Sequence, residues 1–303
     1  MKNQTPKSPR PWGGKWTEQK LEAFEKYVNA YLAIMNKFRD TYNWKLIYFD
    51  AFAGSGSRAC VPEQQEAANL FSELTIDEAE ATLYKSAAER VLKITQKGFD
   101  YYYFIDCDQG TNDALKEKIT DLKPKGSKMV FRAGDANEQI SELAKALKKN
   151  KNFKALALLD PFGMQVDWDS LQLLKDTGVD LWILVPTGVI VNRLLGKNGE
   201  LMYIEKLVSF FGMEEAEIRN HFYKTTTEQD LFGENTIVKK VNQPIKRIAG
   251  LYIERLRTIF KEVTEKPFEM KNSQNTPIFH FIFASNNQTA KKIASQIIGG
   301  IKQ

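Results

Sequence analysis

Four short stretches put acids where chemistry could use them. They are Asp50-Ala51-Phe52-Ala53-Gly54-Ser55-Gly56, Asp106 in YYFIDCD, Asp135-Ala136 in FRAGDAN, and Asp160-Pro161-Phe162-Gly163. Each follows a run of apolar, β-prone residues. Gly54 and Gly56 accept positive φ and lack a Cβ, so a ligand can press against bare main chain there. The dinucleotide fingerprint is incomplete, because Ala59 stands where its third glycine belongs. An acid at the tip of a second parallel strand, as Asp106 would be, can accept from both ribose hydroxyls. Asp135, at the tip of a third, could accept from an adenine amino group, with Ala136 and Asn137 beside it. Each acid alone has a simpler reading as a turn residue or helix N-cap. Together they supply a glycine turn, a ribose acceptor and an adenine acceptor in the order that an adenosine-type ligand needs.

These acids need strands to carry them. LIYFDAF (46–52), YYYFID (101–106), KMVFRAG (128–134), ALALLD (155–160) and VDLWILVP (179–186) read as strands so uniformly apolar that both faces must be buried. Helical segments alternate with them: about 16–40, most of 61–97 with a loop near 72–80, then 110–122, 137–149 and 168–176. Thr17 is the candidate N-cap of the first. Alternation of this kind predicts an α/β domain with a parallel sheet. After Pro186 the rhythm stops, and 187–262 reads as a helical insertion. PFEMKN (267–272) and PIFHFIFAS (277–285) are joined too closely for a parallel crossover and predict an antiparallel pair. A last helix spans 288–299. Residues 1–14 read as a flexible basic arm.

Composition excludes some classes. The 303 residues include two cysteines and two histidines, which make no disulfide framework and argue against a structural zinc site. Cys60 and Cys107 are expected to be plain thiols, and His221 and His280 to be structural. The N-terminus lacks the apolar core of a secretory signal, and no run is long enough to span a bilayer. A cytoplasmic setting is expected. A net charge of +5, from 43 basic and 38 acidic side chains, is compatible with nucleic acid without demanding it. KALKKNKNFK (145–154) reads as a solvated helix end that could touch phosphates.

WTEQKLEAFEKYVNAYLAI, YFDAFAGSGSR, YYFIDCDQGTNDALKEKI, FRAGDAN, ALLDPFGMQVDWDSLQLL, DLWILVPTGVIVNRLL and FHFIFASNN together resemble the three-Cys-motif partner family of methyltransferase-like bacterial proteins. The resemblance implies a Rossmann-like class I methyltransferase fold over 15–303: a mostly parallel seven-stranded sheet with one antiparallel strand, plus the insertion. It also implies a protein partner with a three-cysteine motif. The glycine turn followed by D-P-F-G is similar to S-adenosyl-L-methionine-dependent amino-methyltransferases. That similarity implies Asp50, Phe52, Ala53, Gly54 and Gly56 on the methionine side of the cofactor, Asp106 on its ribose, and Asp135 with Ala136 near its adenine. No metal is implied.

Those amino-methyltransferases carry D-P-P-Y or a relative of it, whereas this chain has D-P-F-G, a form similar to that of the tRNA guanine-N2 dimethyltransferases. An exocyclic amine on a base is a poor nucleophile, because its lone pair is delocalised into the ring. Asp160 and the Pro161 carbonyl would accept its two N–H groups, Phe162 would stack on the base, and Gly163 would leave room for the ring. Lys15 and Trp168 are the leading candidates for further substrate contacts. Trp12, Trp16 and Arg193 are weaker ones. The alternatives are a methyltransferase of a small molecule or free nucleotide, and a non-catalytic subunit that binds a partner.

Overall fold

The computed structural model describes residues 14–54, 87–161, 163–230, 233–272 and 274–301. Helix α1 (Gly14–Phe38) comes first, then strand β1 (Lys45–Asp50). The chain continues through α2 (Ala87–Leu92), β2 (Tyr101–Asp106), α3 (Gln109–Ile119), β3 (Lys128–Ala133), α4 (Ala136–Lys149), β4 (Phe153–Leu159), α5 (Trp168–Gln172) and β5 (Val179–Val185). Strands β1 to β5 pair in the order β3-β2-β1-β4-β5, all parallel. The chain therefore reverses its direction of travel between β1 and β4, and in open α/β sheets ligands bind beyond the strand ends at such a switch point.

The rest of the sheet hangs on β10 (Pro277–Ser285), which runs antiparallel to β5. On its other side β10 pairs with β9 (Phe268–Lys271) and, further along, with β8 (Glu262–Val263). Phe281 faces both Leu184 and Phe268, and Ala284 faces both Leu181 and Val263. The two short strands thus share one lane, and among the described residues eight strands fill seven positions. Only β10 opposes the rest. This is a mixed α/β architecture with a mostly parallel central sheet, consistent with the Rossmann-like class I methyltransferase fold.

Between β5 and β8 lie a π-helical turn (Thr187–Val191), α6 (Asn192–Leu194), α7 (Ile204–Phe211), α8 (Glu215–Phe222) and α9 (Pro244–Leu256). The helical expectation for this insertion missed an antiparallel ribbon, β6 (Tyr223–Asp230) with β7 (Gly233–Lys240). Its sequence, YKTTTEQD with GENTIVKK, offers little apolar alternation, and that alternation is the signal by which strands are read. Lys240 bolts the ribbon to α6, its Nζ donating to Asn192 O at 2.7 Å and Leu195 O at 2.5 Å. Helix α10 (Gln288–Gly299) closes the chain.

Helix α1 lies across one face of the sheet. Phe24 meets Tyr48 of β1 and Trp182 of β5, and Tyr27 meets Trp182 and Phe283 of β10. Tyr27 also donates to Asp180 at 2.7 Å, below the sheet's middle, which fixes how far α1 slides along the strands. Among the described residues, no helix is long and apolar enough to cross a membrane.

Candidate active site at the carboxyl ends of the strands

The register places the four acids at the carboxyl ends of four adjacent strands. Asp50 is level with Phe104 on one side and Leu158 on the other, so Asp106 and Asp160 each extend two residues beyond it. Asp106 is level with Ala133, so Asp135 extends two residues further on β3. Asp50 and Asp160 flank the switch point. Tyr48, Asp50 and Trp182 share the face covered by α1, because strand side chains alternate and Asp50 and Trp182 both pair with Leu158.

Asp50 is buried, and its role is first to shape the turn. Its Oδ1 accepts from Phe52 N at 3.3 Å and its Oδ2 from the Tyr48 hydroxyl at 3.0 Å. Burial pushes its carboxyl up to about 7; nearby Asp160 adds to the rise, while the Tyr48 bond, the Phe52 amide and Lys20 oppose it. Lys20 was missed by sequence reasoning. It is 6 % exposed, and its ammonium forms an ion pair with Asp160 Oδ2. The signal was present: Lys20, Phe24, Tyr27 and Tyr31 fall at i, i+4, i+7 and i+11 on α1, so this lysine occupies the buried stripe. The first turns of α1 overhang the carboxyl edge and bring the ammonium to the D-P-F-G corner. Asp160 Oδ1 carries no hydrogen bond among the described residues.

Gly54 and Asp106 touch. A Cβ built on Gly54 would lie 1.9 Å from Asp106 Oδ2 and 2.4 Å from the Thr111 methyl. The glycine turn is therefore laid against the β2 acid, with no side chain between them. Asp106 Oδ1 accepts from Asp108 N at 2.8 Å, and Ala53 N donates to Ile105 O at 2.8 Å, which stitches the two strand ends together. Phe52 and Gly54 are half-buried, and Ala53 is buried. Asp135 realises its simpler role: it caps α4, Oδ1 accepting from Asn137 N at 2.8 Å and Glu138 N at 3.2 Å, with Ala136 buried beneath. Asn137 braces the neighbouring corner, donating to Gln165 O at 2.9 Å and accepting from Asp167 N at 2.9 Å. Gly163 lies against the π turn, where a Cβ would sit 3.4 Å from Ile190 Cδ1. Pro161 is buried.

Trp168 does not join this group. It is 1 % exposed, lies edge-on to Tyr252, and has the Arg255 guanidinium 4.6 Å above its ring. No face is left for a base, so the expected substrate contact is corrected to a core residue. Gly56, Phe162 and the arm at 1–13 lie outside the described residues, as does the side chain of Lys15. Trp16 packs on Phe279 at 6.0 Å, and Arg193 is exposed on α6. His280 is structural as expected: Nδ1 bonds Thr187 Oγ1 at 2.7 Å, and burial lowers the imidazole to about 4 against the pull of Glu269. Cys107 is disulfide-bonded rather than a plain thiol. Among the described residues, no cluster of acids, cysteines and histidines could hold a metal.

No family model matches the chain, and no curated protein matches it. The chain is similar to a solved structure from Escherichia coli described as "Putative methyltransferase yhhF", at 13 % identity and a TM-score of 0.28, over 78 % of this chain and 92 % of that one.

Proposed function

We propose that this chain is an S-adenosylmethionine-dependent methyltransferase acting on an exocyclic amino group of a nucleic-acid base. The observation that carries the reading is the contact of Gly54 with Asp106 at the tips of β1 and β2, one strand from the switch point. Main chain and carboxylate form one surface there, which suits a ligand with a ribose at one end and a cationic methionine moiety at the other. Bound S-adenosylmethionine would supply an electrophilic methyl carried on a positively charged sulfur.

The chain's own groups would do the rest. Asp106 would accept from ribose hydroxyls, and Asp50 holds the turn through Phe52 N. Ala136 and the capped start of α4 would border the adenine. At the corner, Lys20 holds Asp160 by one oxygen, which leaves Oδ1 to accept one N–H of the target amine while the Pro161 carbonyl accepts the other. Holding both N–H groups favours a more tetrahedral nitrogen, and orientation of this kind can lower a barrier by ~7–11 kcal/mol. A base inside a duplex would first have to be flipped out, at a cost of a few kcal/mol.

The test is transfer of labelled methyl to total RNA, genomic DNA and free nucleotides, followed by nucleoside analysis. The expected product is an N-methylated base in one of the polymers. Label in free nucleotides alone would move the reading to a small-molecule enzyme. Asp160→Ala is expected to abolish transfer while calorimetry shows cofactor affinity nearly intact, whereas Asp106→Ala is expected to weaken the cofactor itself. Absence of both cofactor binding and transfer in the wild type would leave a partner-binding scaffold instead, for which a protein with a three-cysteine motif is the first candidate to assay.

A further inference from the structure

The amino-terminal edge of the sheet lies at the other end of β1 from Asp50, roughly 17 Å away by strand rise. There the connection from α1 to β1 meets the connection from α4 to β4. Lys45 N donates to Asn152 O at 3.0 Å, and Asn152 Nδ2 donates to Asn43 O at 3.2 Å. Three aromatic rings climb this junction. Phe38 and Tyr42 lie 6.3 Å apart, and Tyr42 stacks on Trp44 at 5.0 Å with 21° between the planes. Lys154 Nζ lies 5.7 Å from the Trp44 ring centroid.

Singly exposed apolar residues are ordinary; two exposed rings continuous with a third, half-buried one are not. Phe38 is 45 % exposed and Tyr42 58 %, two of the five large hydrophobic side chains exposed among the described residues. Nothing within the described fold covers them, yet the loop that presents them is fixed. Asn43 takes the left-handed conformation (φ 49°), which folds Tyr42 and Trp44 onto one side. Trp44 N donates to Arg39 O at 2.8 Å, and the buried Arg39 is itself held by Asp100 at 2.6 Å and by Gly98 O at 2.8 Å. The rings are thus organised before any partner arrives, which lowers the entropic cost of binding.

The surroundings are basic. Lys45 at the start of β1, Lys148 and Lys149 at the end of α4, and Lys151 between α4 and β4 are exposed, and Lys37 precedes Phe38. Asp40 is the acid in the α1–β1 connection, 3.6 Å from Lys97. Exposed rings among lysines match nucleic acid whose bases are unstacked, since every base offers a face and every nucleotide a phosphate. A duplex hides its base faces, and the cores of protein interfaces are poor in lysine. We propose that the Phe38–Tyr42–Trp44 ladder, with the lysines around it, is a platform for single-stranded nucleic acid, separate from the candidate active site and independent of whether that site methylates anything.

The test is fluorescence anisotropy of the full chain with a labelled 20-mer of oligouridylate or oligothymidylate across a salt series, with tryptophan quenching as a second readout. Wild type is expected to bind. Tyr42→Ala is expected to weaken binding about tenfold with an unchanged salt slope, since one stacked base is lost. Tyr42→Phe keeps the ring and is expected to bind like wild type. Lys149→Gln with Lys151→Gln is expected to flatten the log–log salt slope by about 0.7 for each charge lost. Lys266→Gln, on the β8–β9 connection in the outermost lane of the sheet, is expected to change nothing. The proposal is overturned by an oligomer that fails to bind, by Tyr42→Ala binding as tightly as wild type, by Lys266→Gln weakening binding as much as the double lysine variant, or by a duplex of equal length binding as tightly as the single strand. All four substituted positions are exposed, and an unchanged melting temperature confirms that each variant is folded.

Discussion

Asp50 carries a consequence of burial that can be measured. Its carboxyl sits near 7, so close to neutral pH it exchanges between a neutral and an ionised form. A cationic ligand at the β1 turn favours the ionised form. If the proposed cofactor binds there, its affinity is expected to rise as pH climbs from about 6 to 8, with proton release visible by calorimetry in buffers of different ionisation enthalpy. S-adenosylhomocysteine, whose sulfur is uncharged, is expected to show a weaker dependence, and Asp50→Asn to show little; equal dependence for all three would remove Asp50 from the linkage. Lys20 offers a second prediction. Lys20→Met leaves Asp160 beside Asp50 without its counter-ion, and removing one partner of a buried pair costs roughly 3 kcal/mol. Urea denaturation is expected to show that loss, because Lys20 is 7 % and Asp160 22 % exposed at the side chain. The acids were legible because each ends an apolar run. The lysine was not, because a charge on a helix reads as a solvated one until its phase against Phe24 and Tyr27 is followed.

At the scale of elements, the joint between α5 and the insertion decides whether the corner after β4 is held still. Trp168 begins α5 directly after that corner. Arg255 of α9 covers its ring and donates to Phe211 O at 2.9 Å and to Gly212 O at 2.7 Å, closing the end of α7. Gly212 has φ 60°, and a Cβ there would lie 2.0 Å from Trp168 Cδ1. Gly212→Ala combines a strained C-cap with a clash against a buried ring, and a loss of about 3 kcal/mol is expected in thermal unfolding. A stable Gly212→Ala would mean that α5 and α7 do not meet as described. Helix α10 runs over the expected residues, because Ala290, Ile293, Ala294 and Ile297 recur at helical spacing against the core, and β10 matches its predicted span, because it is an apolar run buried on both faces. The β6–β7 ribbon could not be read in the same way: Lys224, Thr225, Thr226 and Thr227 are all exposed, so that this run of β6 shows no alternation.

Over the whole molecule, the parallel core was legible from five apolar runs, and the sharing of one lane by β8 and β9 was not, since two-residue pairings leave no pattern. The assembled core also sets how stability answers to pH. Asp50 binds its proton more tightly folded than unfolded, and Asp180, buried under Tyr27 and Ser285, is raised as well. Across the interval from the ordinary carboxylate range to about 7, the folded state therefore holds more protons at Asp50, and this group's contribution to stability falls as pH rises. His280 works the other way. Its imidazole is lowered to about 4, so between there and its ordinary range the unfolded state holds more protons, and stability falls as pH drops. Shifts of this size correspond to ~3–4 kcal/mol each, and they oppose one another over nearly the same interval. Wild type is therefore expected to show a muted profile between pH 4 and 7. Asp50→Asn is expected to uncover the histidine, with stability climbing as pH rises to about 6.5, and His280→Gln is expected to uncover the acids, with stability declining over the same range. Denaturant titrations at half-unit pH steps would settle it: two variants whose profiles run parallel to wild type would show that neither group is buried as the sheet requires.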